Sequence, residues 1–227
     1  MVARTRAVSS LRLAGAAAAV CVLAACSSGQ APATPASAPE QPPATAAPPG
    51  AGPNTASSAS GAELDVAAQG TLAAPDQAQG AFTYNPQLAP VGAQLNAEID
   101  GGADSTDVSL EVTGMVPNRG YAAHVHARPC GATGADAGPH YQNQVDPAAT
   151  PEKPSSDPAY ANPQNEVWLD LRTDANGAGS SETDVPFTFT DRRPGSVVIH
   201  EAEMTMTGPG QAGMAGGRLA CVTIPAA

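Results

Sequence analysis

Residues 91–112 read VGAQLNAEIDGGADSTDVSLEV. Val91, Ala93, Leu95, Ala97 and Ile99 alternate with polar positions, and Val108, Leu110 and Val112 resume the alternation beyond Gly101 and Gly102. Successive side chains of a strand point to opposite faces, so each run collects its apolar residues on one side. The two glycines between the runs supply a turn. Together these features predict an antiparallel hairpin with one buried face.

Beyond the hairpin the same period returns. Val167, Leu169 and Leu171 alternate with Trp168 and Asp170; Val185, Phe187 and Phe189 form another set, the phenylalanines alternating with Thr188 and Thr190. Val197 to His200 and Leu219 to Ile224 are β-branched runs. Clusters of Gly, Pro, Asn and Asp separate the runs, and no stretch of useful length keeps a helical period. The expectation is an all-β domain over residues 62–227, an antiparallel Greek-key β-sandwich or flattened barrel of immunoglobulin-like kind with long loops.

The amino-terminal part reads differently. Residues 1–25 carry Arg4, Arg6 and Arg12 and then an apolar run from Leu13 to Ala25, too short for an ordinary membrane span and suited to a secretory signal. The run ends LAAC at Leu23 to Cys26, which looks like a bacterial lipobox. Cleavage there leaves Cys26 as a lipid-bearing amino terminus at the outer side of the cell membrane. Residues 26–61 are Ala, Pro, Ser, Thr and Gly with almost no large apolar side chain, a composition that cannot offset chain entropy by burial. They read as an extended, proline-stiffened tether that lets the domain reach toward the cell wall.

The whole chain carries 10 basic and 21 acidic residues, a net charge of −11. Without the three signal arginines, 7 basic residues remain against 21 acidic ones, or −14. Nucleic acid needs a basic stripe, so this balance argues against it as a partner.

All four histidines fall in two short pieces, AAHVHARPCGATGADAGPH at 122–140 and VVIHE at 197–201, and a third piece, GGRLACV at 216–222, accompanies them. His124 and His126 are two apart, which puts both imidazoles on one face of a strand and offers a metal two nitrogens. An isolated pair of this kind is common on solvated strands without any ligand. The order of the pieces adds to it. HVH, then GPHY at 138–141, then a strand ending in His200, then Arg218 before the last cysteine: this sequence of motifs resembles the copper/zinc superoxide dismutases.

The resemblance covers roughly the last hundred residues. It implies copper ligands His124, His126, His140 and His200, with His140 the ligand released on reduction, and a channel arginine at Arg218. It also implies a disulfide between Cys130 and Cys221, which suits an oxidising compartment; Cys21 would leave with the signal. The implied reaction converts superoxide to dioxygen and hydrogen peroxide by alternate reduction and reoxidation of one copper. Zinc is not expected. In the family it takes further histidines from the loop after GPH, but residues 141–167 contain none, and the carboxylates Asp146, Glu152, Asp157 and Glu166 alone make a poor zinc site.

A copper-only protein must give the second nitrogen of His140 another partner, for which Glu166 and Asp157 are the candidates. The segment between His200 and Arg218 holds no other basic residue, so Arg218 is expected to act nearly alone on an anionic substrate. Glu201 and Glu203 read as a solvated strand end, and Tyr121, Tyr141 and Trp168 as packing residues at the rim. Met204, Met206 and Met214 have thioethers that suit Cu(I), although gap filling by flexible side chains is the reading preferred here. The alternative to an enzyme is a lipid-anchored copper carrier or reservoir on the same fold, since fold does not settle activity.

Overall fold

The computed structural model describes residues 64–226. The expected signal segment 1–25, the lipid-bearing Cys26 and the tether 26–61 lie outside them.

Ten strands build the domain: β1 (Val66–Thr71), β2 (Ala81–Thr83), β3 (Gln94–Gly101), β4 (Thr106–Thr113), β5 (Gly120–Tyr121), β6 (Ala123–His126), β7 (Leu171–Arg172), β8 (Gly179–Val185), β9 (Ser196–His200) and β10 (Arg218–Thr223). They form two four-stranded antiparallel sheets, β1-β3-β4-β8 and β2-β10-β9-β6, with β5 and β7 as a separate pair. The sheets do not close into a barrel. The fold is an all-β sandwich.

The β3–β4 hairpin has the register its alternation demands. Leu95 faces Val112, Ala97 faces Leu110 and Ile99 faces Val108, and all six are buried in the core between the sheets. The strand begins later than the sequence pattern suggests. Val91 is 61 % exposed and lies before β3, because Gly92 takes a left-handed φ of 91° that breaks the extended run.

Phe187 and Phe189 are buried, yet they are not in a strand. β8 ends at Val185, and Pro186 follows, which has no N–H to give to a ladder. The two rings instead pack around Tyr141, at centroid distances of 6.3 and 4.9 Å, while the Thr106 hydroxyl donates to the Phe187 carbonyl at 2.9 Å. β8 itself reads GSSETDV and carries almost no apolar signal.

Strands β6 and β9 are buried along their whole length. Ala123, Val125, Val197 and Ile199 point into the main core, whereas Val198 joins Cys221 and Ala137 in a small second cluster on the opposite face. The histidines of β6 and β9 alternate with the core residues, so they too lie on that opposite face, under the long loops. Burial of both faces explains why these runs read as nearly continuous apolar sequence.

Candidate metal centre

His124 and His126 stand on β6, paired with Val198 and Ser196 of β9. His200 ends β9, its N–H donating to the Ala122 carbonyl at 2.8 Å. His140 arrives from the long loop because residues 139–141 run antiparallel to β6: Ala127 N donates to Pro139 O at 3.0 Å and Tyr141 N to Val125 O at 2.9 Å. The four side chains meet, with one ligand nitrogen from each lying within 4.8 Å of all the others. The expected set is brought together complete.

Hydrogen bonding fixes which nitrogen three of the rings turn inward. His126 Nδ1 lies 3.0 Å from the Gly138 carbonyl, which can only accept, so Nδ1 carries the proton and Nε2 presents a lone pair. His140 Nδ1 donates to Glu166 Oε2 at 2.9 Å, leaving its Nε2 free in the same way. For His124 the order is reversed. Its Nε2 lies 2.7 Å from Thr205 Oγ1, and that hydroxyl gives its one proton to Asp170 Oδ1, also at 2.7 Å. The hydroxyl must therefore accept from His124 Nε2–H, and His124 Nδ1, buried and without a partner, faces the cluster. His200 Nε2 lies 3.2 Å from His126 Nε2.

Three of these imidazoles, His124, His126 and His200, are held neutral. Burial, then the charges of His140, His200 and Arg218, push His126 well below the ordinary histidine range. Burial and the other three rings do the same to His124. His200 is pushed down to about 3, by burial first and then by His140 and Arg218. Metal ligation requires the neutral ring, so at neutral pH these three are ready to bind. The donor set fits a borderline or redox-active metal ion: four converging imidazoles, two of them with a buried Nδ1 that has no partner (His124 and His200), have no better common partner than a cation.

Glu166 adds a second indication. Its carboxylate is buried, and it accepts from His140, from Trp168 Nε1 at 2.8 Å and from Gln142 Nε2 at 2.8 Å. None of the three donors is a permanent cation. A cation held on the far side of the His140 ring would balance this carboxylate through the imidazole.

The other candidate, Asp157, is not at the site. It accepts from Ala159 N at 2.9 Å and so serves its own turn, which leaves Glu166 as the His140 partner. Trp168 was expected only to pack, but it both touches His124 edge-on at 5.9 Å and holds Glu166. Tyr121 and Tyr141 are core residues, and Glu201 and Glu203 are exposed.

Arg218 sits opposite His200 where β10 shifts register, and a bulge of this kind re-aims side chains beside a site. Its guanidinium donates to Gly134 O and, at 2.6 Å, to Gly138 O, the carbonyl that also orients His126. It is not alone. Arg128 lines the same cavity of about 520 Å³, together with Gly134, Gly138, Pro139 and Pro151. The signal was present in the sequence, since Arg128 is two residues past His126 and continues the step from His124. Thr205, Asp170 and Gln142 were also missed.

Cys130 and Cys221 form a disulfide, with Cα atoms 5.9 Å apart and a sequence separation of 91. It ties the loop after β6 to β10 and fits an oxidising compartment. Among the described residues no helix is long and apolar enough to cross a membrane. No protein-family model and no curated protein matches this chain.

Proposed function

We propose that the chain is an extracytoplasmic copper-dependent superoxide dismutase, held at the membrane by a lipid on Cys26. The observation that carries this reading is the convergence of four imidazole nitrogens within 4.8 Å beside an arginine anchored to the same loop. His124 through Nδ1 and His126, His140 and His200 through Nε2 would hold one copper. Copper bound there would supply one-electron chemistry, in which one superoxide gives up an electron and leaves as dioxygen and a second takes it up and, with two protons, leaves as hydrogen peroxide.

The chain's own residues supply the rest. Arg218 keeps a permanent charge beside the histidines and attracts a small anion toward them. His140 is 17 % exposed where His124, His126 and His200 are buried, so protons and water reach the cluster at this ring. Glu166 holds the Nδ1 proton of His140 and keeps the ring turned inward whether or not Nε2 is engaged. Zinc has no assigned place in this reading, because Glu166 occupies the outer nitrogen of His140.

Superoxide consumption per bound copper, measured against the same concentration of free copper, is the test. A rate above free copper supports the enzyme. A protein that binds copper tightly and consumes superoxide no faster than free copper is a carrier or reservoir, the second reading, which the exposed methionines described next would also serve.

A further inference from the structure

Three methionines stand in the loop that closes over the histidines, and they do not fill gaps there. Met204 is 69 % exposed, Met206 46 % and Met214 50 %, whereas Met115 is buried in the core at 3 %. Thr205, between the first two, is buried and bonded to His124, so its neighbours on either side are left facing outward. The backbone then brings the third beside them. Met206 N donates to Met214 O at 3.0 Å and Gly213 N to Met206 O at 2.9 Å, which makes residues 206 and 214 cross-chain neighbours. The loop is thin at this point. A Cβ on Gly213 would lie 3.6 Å from Glu166 Oε2 and 3.7 Å from His140 Nδ1.

Exposing three long apolar side chains forfeits the stabilisation their burial would give, and the packing explanation is gone. What remains on this surface is a group of flexible thioethers, which are soft donors with a preference for monovalent copper over hard cations. Net negative charge on the chain favours any cation's approach. We propose that Met204, Met206 and Met214 form a surface site for Cu(I) that receives the ion before it passes to the four histidines. The binding site stands independently of the dismutase reading; its role in entry rests on the histidine centre. No electron is exchanged in the step, since Cu(I) leaves thioether sulfur and arrives on imidazole nitrogen in the same oxidation state.

Silver(I), a soft ion of the same charge that does not change oxidation state here, is the probe. Titrated into the metal-free protein with labelled methionine methyl groups, it should shift the Met204, Met206 and Met214 signals together and leave Met115 unmoved. The triple variant Met204→Leu, Met206→Leu, Met214→Leu keeps side chains of similar volume on an exposed loop. It should take up copper from a Cu(I)–chelate donor about tenfold more slowly, and reach the same final occupancy. Methyl signals that stay put through two equivalents of silver overturn the site, and equal uptake rates overturn its entry role. If neither protein loads its histidines while the methyl signals still shift, the methionine site stands and the histidine centre is what fails.

Discussion

Thr205 has one hydroxyl proton and two claimants, and the carboxylate of Asp170 takes it. The consequence reaches the metal centre, because a hydroxyl that accepts from His124 Nε2–H leaves Nδ1 as the inward nitrogen. Thr205→Val keeps the shape and removes the acceptor, so His124 loses the contact that selects its tautomer. Copper affinity should fall by about tenfold, the spectrum of bound copper(II) should change, and Thr205→Ser should restore both, as a competition titration would read. Glu166→Gln makes a related point. Three donors share the two carboxylate oxygens, and an amide offers only one oxygen, so one donor is left facing an NH₂ group at a cost of about 1–3 kcal/mol. The variant should melt lower and hold copper less tightly. His124, His126 and His200 also make the metal-free protein sensitive to acid. Their folded values lie below the unfolded one, so as pH falls through about 6.5 the unfolded chain takes up protons that the folded chain refuses. Stability should drop by roughly 2 kcal/mol at about pH 5 for each ring that stays neutral, and bound copper should remove most of the dependence. A melting temperature of the metal-free protein that is flat from pH 7 to pH 5 would contradict the burial of these rings. The histidines were legible because ordered motifs and strand period point to them, and Glu166 only as one of two carboxylates that could take the outer nitrogen of His140. Thr205 and Asp170 were not, since they act across 81 and 35 residues of sequence, through loops whose return path no local pattern encodes.

Strands β6 and β9 place three of the four imidazoles, and what supports them comes from the loops on their outer face. Gly195, just before β9, passes so close to the chain at Arg128 that an added Cβ would lie 2.2 Å from the Arg128 carbonyl carbon. No flexible side-chain end can yield there, so Gly195→Ala should separate β9 from the loop after β6. It should lower the melting temperature and, with it, copper retention. The disulfide restrains the same loop from its other end. In the chain-entropy picture a bridge closing 91 residues contributes about 4–5 kcal/mol, less if the reduced chain stays compact. Cys130→Ser with Cys221→Ser should therefore destabilise the fold and also loosen the path to His140; unchanged melting and unchanged copper retention would mean that the bridge does neither. At this scale the readable elements were those with one clean apolar face. The β3–β4 hairpin and the cores of β9 and β10 follow from alternation or from continuous burial. β8 did not, because its half-buried positions are Gly179, Ser181 and Thr183, and its pairing with β4 rather than its own hydrophobicity keeps it in the sheet. Phe187 and Phe189 misled for the opposite reason. They are buried by ring packing around Tyr141, which yields the same spacing as a strand without one.

Across the whole molecule, the proposed dismutase reading asks a strongly negative chain to admit a negative substrate. The charge of −14 expected after loss of the signal arginines sets a repulsion that acts at long range, and ions screen it beyond a Debye length of about 8 Å at physiological salt. Against it stand Arg128 and Arg218, two guanidinium groups on the wall of one cavity, close enough that Arg128 lowers the proton affinity of Arg218 after burial has done so first. Among the described residues neither has a carboxylate within salt-bridge distance. Their field is local and partly buried, so salt weakens it less than the distant repulsion. Arg218→Ile removes the nearer charge without touching a metal ligand. The superoxide rate should fall on the order of tenfold, the equivalent of about 1.4 kcal/mol, with copper affinity nearly intact. Arg128→Ala, at an exposed position, should cost about two- to threefold. The double variant distinguishes steering from a mere loosening of the loop. With both guanidinium groups gone only the repulsion is left, so its residual rate should rise with ionic strength more steeply than the parent's, in which screening of the attraction offsets part of the gain. A double variant whose rate falls with salt, or rises no more steeply than the parent's, would mean that the arginines act through the Gly134 and Gly138 carbonyls alone and not by their field.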